Sequence, residues 1–346
     1  MTAREAGEWL LVVRLRQLGD VLASLEVLRA IREFRPERKI ALVVDAPYVE
    51  LVEHETYIDR VMPPPARGAV AWVQYLAQIR GLQAGAAIDL HGSVRSALIT
   101  RASGARVRAG FDVRLRRRAY TVVEARGEWQ DGRRIPHDPI TWGMRLARHV
   151  GAKQAGPVPP ALRAGAASRS LAFERMCGAG VSPAAMASRR LVGLNPGRPV
   201  ATKSWSSSHF VALARRLREQ GCEAVVFWGP KEEAVARRIA DEAGVVMAPP
   251  LSLVEMLAAL PVCAALVTID SGLKHLAVCA RVPTVTVFGS TDPHEWHMGD
   301  ADDVVLWKGL SCSPCRRSSC PFGTPCMDVG VDTVLGALER VMGGGA

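Results

Sequence analysis

Val267-Thr268-Ile269-Asp270-Ser271-Gly272-Leu273-Lys274-His275-Leu276-Ala277 is the stretch whose reading decides the fold. The apolar run 264–269 predicts a buried strand, the break at Asp270-Ser271-Gly272 ends it, and 273–280 predicts a helix. A Ser or Asp just before a helix caps its free amides. Gly272 allows close backbone approach, and the amides and dipole of such a helix start attract an anion. His275 falls one turn in, on the side that a bound phosphate would face. The same residues also suit an ordinary capped strand–turn–helix, so the rest of the chain has to separate the two readings.

The chain has 346 residues, enough for two domains of common size. Hydrophobic residues make up 49% and charged residues 23%, the balance of a soluble globular protein with real cores. A net charge of +10 points to acidic partners: a phosphorylated substrate, an anionic membrane surface or nucleic acid. Aromatics are only 5% of the chain and do not interleave with its basic run, which argues against nucleic acid. Residues 1–8 hold no apolar signal core, and no segment approaches the ~20 apolar residues of a bilayer span. The expectation is a cytoplasmic protein with reduced thiols.

In the first half, 10–15 predicts a strand, 16–20 a loop, 21–34 a helix with apolar spacing, and 40–44 the next strand. This is a βαβ unit with Gly19 in its first turn, where open α/β sheets hold ligands. It lacks the three-glycine dinucleotide fingerprint. Asp20, at the mouth of the first strand, reads either as a helix N-cap or as a general base. A further strand over 86–90 leads through His91-Gly92-Ser93 into a helix over 94–102, placing Asp89, His91 and Arg95 at a second strand-to-helix turn. Arg101, Arg106, Arg108, Arg114, Arg116, Arg117 and Arg118 then crowd a short span in which Asp112 is the acid. Such a run is a solvated loop, or a docking surface when it meets phosphate or carboxylate. Between about 151 and 190 the composition turns to Ala, Gly, Pro and Ser, which suggests the domain boundary.

The second half repeats the alternation. Strands over 191–194, 224–228, 245–247, 264–269 and 284–288 alternate with helices, and Ser207 or Ser208 is expected to cap the helix through Phe210. Lys203, Glu232, Glu233 and the run from Asp270 to His275 fall at strand ends. An ammonium, a helix start and a carboxylate on one sheet edge suit a nucleoside diphosphate with its ribose.

Five motifs in this order resemble glycosyltransferase family 9, the heptosyltransferases of lipopolysaccharide inner-core assembly. They are Val13-Arg14-Leu15-Arg16-Gln17-Leu18-Gly19-Asp20, Asp89-Leu90-His91-Gly92-Ser93-Val94-Arg95-Ser96, Lys203-Ser204-Trp205, Asp270-Ser271-Gly272-Leu273-Lys274-His275-Leu276 and Phe288-Gly289-Ser290-Thr291-Asp292-Pro293. The resemblance implies an α/β, GT-B glycosyltransferase fold of two Rossmann-like domains facing across a cleft. It divides as residues 1–165 for the acceptor, a linker over 166–190, and 191–346 for the nucleotide sugar. It also implies inverting transfer of heptose from ADP-L-glycero-β-D-manno-heptose to an acidic, lipid-linked acceptor, without a catalytic metal. By resemblance Asp20 is the general base and Lys203 the phosphate-binding lysine; Glu232 or Glu233 meets the ribose and Leu251 flanks the adenine. Asp270, Ser271, Gly272, Leu273 and His275 form the diphosphate loop, and Gly19, Asp89, His91, Arg95, Arg114 and Arg117 are expected on the acceptor side. Ser206 stands where the family has Pro, and Ser271 where it has Thr. The rival readings are a relative that glycosylates protein and a non-catalytic nucleotide-sugar-binding protein. Retention of both Asp20 and Lys203 argues against the latter.

Of eight cysteines, Cys312, Cys315, Cys320 and Cys326 are clustered with a spacing that suits a tetrahedral zinc or iron site. The alternative is a loop of reduced thiols. The expectation is a structural site distant from the chemistry, in a cytoplasmic protein that touches the inner membrane face peripherally.

Overall fold

Leu10, Leu11, Val12 and Val13 are fully buried, as a parallel strand covered on both faces requires. They lie at the centre of the first of two six-stranded sheets in the computed structural model, which describes residues 8–125, 127–130, 133–135, 138–153, 160–299 and 302–343. The chain divides into two units between Pro160 and Ala161.

The first unit runs β1 (Trp9–Val13), α1 (Leu18–Phe34), β2 (Lys39–Val43), α2 (Val49–Val52), β3 (Arg60–Val61), α3 (Ala69–Gly81), β4 (Ala86–Asp89), α4 (Val94–Ala102), β5 (Val107–Phe111), β6 (Val122–Glu124), the hairpin β7 (Glu128–Gln130) and β8 (Arg133–Ile135), and α5 (Pro139–Ala147). Its six-stranded sheet has the order β3-β2-β1-β4-β5-β6, with parallel pairing throughout. Strand order reverses between β1 and β4, so the loops after these two strands flank the switch point where such sheets bind ligands.

The second unit runs α6 (Ala166–Gly178), α7 (Pro183–Ala187), β9 (Leu191–Asn195), α8 (Ser207–Glu219), β10 (Glu223–Val226), α9 (Glu233–Ala243), β11 (Val246–Met247), α10 (Leu253–Ala259), β12 (Ala265–Ile269), α11 (Gly272–Cys279), β13 (Thr284–Phe288), α12 (Pro293–Trp296), β14 (Asp303–Trp307) and α13 (Val331–Gly343). Its sheet, β11-β10-β9-β12-β13-β14, is again parallel. The switch point lies between β9 and β12. Val192, Leu194, Val267, Val285 and Val287 bury one face of this sheet against Phe210, Leu213 and Leu217 of α8 and Leu335 and Leu338 of α13.

Residues 166–190, expected as a linker, instead form α6 and α7, and α6 packs against α10. Arg175 of α6 pairs with Glu255 at 2.5 Å, and Ala172 and Met176 are fully buried. The small residues that suggested a linker allow close helix packing. Residues 154–159 of the same stretch lie outside the described residues.

Helix starts also differ from expectation. The Ser206 hydroxyl, rather than Ser207 or Ser208, caps α8 by accepting the Ser208 amide. A Ser at this position thus starts the helix through a side-chain oxygen.

Candidate functional site

In the second unit, β9 and β12 deliver two loops to one edge of the switch point. The loop after β9 carries Lys203, and the turn after β12 carries Asp270 and Ser271 directly into α11. The Ser271 hydroxyl accepts the Lys274 amide at 3.3 Å and so caps the helix. Ser271, Gly272 and Leu273 are only half-buried, which leaves the unpaired amides of the first turn open to a ligand. The Lys203 ammonium lies 2.7 Å from Asp270. Burial pushes the Asp270 carboxyl up. Lys203, His275 and a Thr291 hydrogen bond outweigh it and hold the group below its ordinary range. Asp270 is therefore an anion that holds Lys203 over the start of α11.

His275 is buried, and burial followed by the charge of Lys274 lowers its pKa to about 3. It is a neutral imidazole at pH 7, able to donate one hydrogen bond but not to supply positive charge. Its Nδ1 is buried and has no hydrogen-bond partner among the described residues. Lys274, in the same helix, is a buried residue that sequence reasoning misses. It is completely buried, burial lowers its pKa to about 8, and its ammonium donates to the Trp296 carbonyl at 2.6 Å, tying α11 to α12. A lysine inside a helical pattern gives no sign of burial in the sequence.

Asn195 likewise reads as an ordinary loop residue. At the end of β9 it is buried, and its amide nitrogen donates to the Phe227 carbonyl and to Glu232. Its amide oxygen accepts the hydroxyls of Ser271 at 3.0 Å and Thr268 at 3.1 Å. It thereby joins the α11 cap to a carboxylate at the end of β10. That carboxylate is Glu232, whose Oε2 also accepts the Gly229 amide at 2.9 Å. Glu233, the other candidate, is exposed and pairs along α9 with Arg237 at 2.8 Å. Lys231, just before the two adjacent glutamates, has a positive φ of 75°. Leu251 is half-buried in the loop after β11.

In the first unit, α1 begins at Leu18, so Asp20 sits in its first turn with Gly19 buried beside it and Gln17 in the cap position. No side chain caps this helix, and the N-cap reading of Asp20 does not hold. Its carboxylate instead lies 3.2 Å from the Arg14 guanidinium while remaining partly exposed. Asp89 needs the larger correction. It is fully buried and accepts the amides of His91 and Gly92 and the hydroxyl of Tyr120 at 2.7 Å. Burial raises its pKa despite these bonds. Its oxygens are occupied within the fold, so it shapes the His91-Gly92-Ser93 turn and does not meet an acceptor. Arg95 forms a close pair with Asp45, 2.6 Å to each oxygen. His91 is half-buried, while Arg114 and Arg117 are exposed. Arg108 and Arg116 are drawn inward, to the carbonyls of Ala119 and Gly92.

Burial, followed by the nearby thiols of Cys315, Cys320 and Cys312, pushes the Cys326 thiol up. The four cysteines therefore share a neighbourhood. Among the described residues, however, no group of three or more His, Cys, Asp or Glu is placed to hold a metal ion.

Residues 72–325 match the family model described as glycosyltransferase family 9 (heptosyltransferase). The chain is 26% identical over 333 residues to lipopolysaccharide heptosyltransferase 1 of Pseudomonas aeruginosa, covering 90% of this chain and 87% of the relative. Among solved structures it is similar to a family 9 glycosyltransferase from Veillonella parvula, with a TM-score of 0.84, 21% identity and 97% of each chain covered. It is also similar to the E. coli heptosyltransferase WaaC with ADP, at a TM-score of 0.68 and 21% identity, over 96% of this chain and 99% of that one. These structural likenesses establish two Rossmann-like domains of the GT-B type.

The site has a defined pH signature. His275 takes up a proton near pH 3 when folded, against an ordinary value of 6.5. The unfolded chain binds the extra proton between these values, so this contribution to stability is complete above pH 6.5 and is lost as pH falls toward 3. Asp270, with its lowered value, adds a loss of the same sign below about pH 4. Unfolding free energy measured by denaturant from about pH 4 to 6.5 is expected to rise less steeply in His275→Gln than in wild type; equal slopes would contradict the assignment.

Proposed function

We propose that this chain, which belongs to glycosyltransferase family 9, transfers heptose from ADP-heptose to the inner core of lipopolysaccharide, with inversion at the sugar carbon. It is a glycosyltransferase. The observation that carries the donor half of the reading is the Lys203 ammonium held by Asp270 over the open first turn of α11. A diphosphate binding there meets a cation and the free amides of the first turn. Glu232, fixed through Asn195 and Gly229, offers its remaining oxygen to ribose hydroxyls. Leu251 supplies an apolar edge for the base.

In the reaction, an acceptor hydroxyl oxygen attacks the anomeric carbon of heptose as the bond from that carbon to the diphosphate oxygen breaks. ADP leaves with the electron pair. Lys203 and the α11 amides stabilise the charge that builds on it, usually the largest catalytic contribution. Asp20 takes the proton of the acceptor hydroxyl, with the Arg14 guanidinium 3.2 Å from its carboxylate. Asp20→Asn is expected to lower kcat by ~10²–10⁴-fold with donor KM little changed. Lys203→Ala is expected to raise donor KM and lower kcat. Steady-state kinetics with ADP-heptose and a lipid A–Kdo acceptor read both, and an Asp20→Asn enzyme with wild-type kcat would contradict the assigned base.

The acceptor, and peripheral contact with the cytoplasmic face of the inner membrane, are supported by one face of the first unit. Val94 and Leu98, one turn apart on α4, are 64% and 59% exposed, and Leu115 is 73% exposed. Arg114, Arg117 and Arg118 lie exposed around Leu115, and apolar side chains ringed by arginines suit an anionic lipid surface. No described helix is long and apolar enough to cross a membrane. The protein is expected to sediment with phosphatidylglycerol vesicles and not with phosphatidylcholine vesicles. Leu98→Ser/Leu115→Ser should reduce that binding, and sedimentation of wild type with neither vesicle would remove the membrane reading.

A structural zinc or iron held by Cys312, Cys315, Cys320 and Cys326 is supported by their spacing and thiol donor chemistry, although the described side chains are not gathered into a metal-binding group. No step of the transfer passes through it. Elemental analysis of the purified protein should find about one zinc or iron per chain, lost in Cys315→Ser/Cys320→Ser; wild-type protein free of both metals would contradict this.

A further inference from the structure

The cysteine-rich segment plays no part in the transfer just described, and the sequence suggested that it lies far from the chemistry. The contacts of its first half point elsewhere. Thr202, the residue before Lys203, is buried, and its hydroxyl donates to the carbonyl of Arg317, between Cys315 and Cys320. Ser290, fully buried just past the end of β13, donates its hydroxyl to Thr202 Oγ1 at 3.2 Å and its amide to the Thr202 carbonyl at 3.1 Å. The Ser290 carbonyl in turn accepts the Arg316 amide at 2.8 Å. The Ser313 hydroxyl donates to the Gly289 carbonyl at 2.7 Å, and the Arg316 guanidinium bonds buried Glu295 on α12 at 2.6 Å.

Packing is as tight as the bonding. A Cβ placed on Gly289 would lie 2.2 Å from the Met327 sulfur and 2.3 Å from the Thr202 carbonyl oxygen. The loop after β9, the end of β13 and the cysteine-rich segment therefore meet where only a glycine fits. Lys203 itself is held in a turn by its amide, which donates to the Val200 carbonyl at 2.8 Å.

We propose that Thr202 and Ser290 are positioning residues that fasten the 313–317 segment to the Lys203 loop and so set where the Lys203 ammonium meets the diphosphate of the donor. This role rests on the assignment of Lys203 to the donor diphosphate. Its physical basis is that Lys203 must exchange Asp270 for a phosphate when the donor binds. Once that ion pair opens, the reach of the ammonium depends on the backbone position of residues 202 and 203. Removing the Thr202 hydroxyl leaves the Ser290 hydroxyl and the Arg317 carbonyl without their buried partner, and the loop is no longer fixed from below.

The test compares wild type, Thr202→Val, Thr202→Ser and Ser290→Ala by calorimetric titration with ADP, at a temperature where circular dichroism finds each fully folded. Thr202→Val and Ser290→Ala are expected to bind ADP about tenfold more weakly, with donor KM raised and acceptor KM unchanged. Thr202→Ser, which keeps the hydroxyl, should bind within about twofold of wild type. Wild-type ADP affinity in Thr202→Val, even with a lowered melting temperature, would make the hydroxyl a satisfied core group and overturn the proposal. If Thr202→Val does not fold, wild-type affinity in Ser290→Ala overturns it instead. Failure of wild type itself to bind ADP would remove the donor assignment, and the positioning role with it.

Discussion

The second unit depends on one ion pair, Lys203 with Asp270 at 2.7 Å, at the point where its strand order reverses. A parallel sheet brings the carboxyl ends of β9 and β12 side by side, and the loops leaving them diverge in opposite directions. The crevice they leave would expose a flexible ammonium to solvent. Asp270, kept ionised by Lys203 and Thr291 against the cost of its burial, holds that ammonium in place instead. Ser271, Thr268 and Glu232 reach the same spot through the single buried amide of Asn195. The site is thus organised before any ligand arrives, which is where electrostatic stabilisation gains its strength.

The first unit uses the same sheet order for a different electrostatic purpose. Its switch point carries two carboxylates, and burial separates their roles. Asp89 is enclosed and committed to Gly92, His91 and Tyr120, whereas Asp20 stays partly open to solvent with Arg14 as its neighbour. The enclosed acid builds the turn, and the partly open one stays accessible from solvent. Five arginines of the 101–118 span, Arg101, Arg106, Arg114, Arg117 and Arg118, are exposed and add positive charge to the surface of this unit.

Much of this is legible in the sequence, for a physical reason. Strands buried on both faces read as unbroken apolar runs, so 264–269 and 284–288 emerge as β12 and β13 with at most one residue of difference. Glycine and capping residues mark the turns, so Ser271 and Gly272 are readable as a helix start. What stays hidden is the partner of each polar side chain. Glu232 and Glu233 are equivalent in a sequence, and only the fold shows Glu232 bonded to Asn195 and Gly229 while Glu233 pairs with Arg237. Lys274 and Asn195 look like surface residues until the fold encloses them. The small, polar residues of α6 resemble a linker because the sequence does not reveal that α10 covers them. The nearness of the cysteine-rich segment to Thr202 is likewise a tertiary fact, made by residues more than a hundred positions apart.

Whether this pre-formed edge binds the diphosphate of an adenosine-linked sugar is measured most directly by calorimetric titration of the wild-type protein with ADP, UDP and GDP in parallel. Clear binding of ADP and weaker binding of the other two are expected, with an affinity that falls with added salt because an ion pair must be exchanged. Preference for UDP or GDP would contradict the donor, and a folded protein that binds none of the three would contradict the site itself.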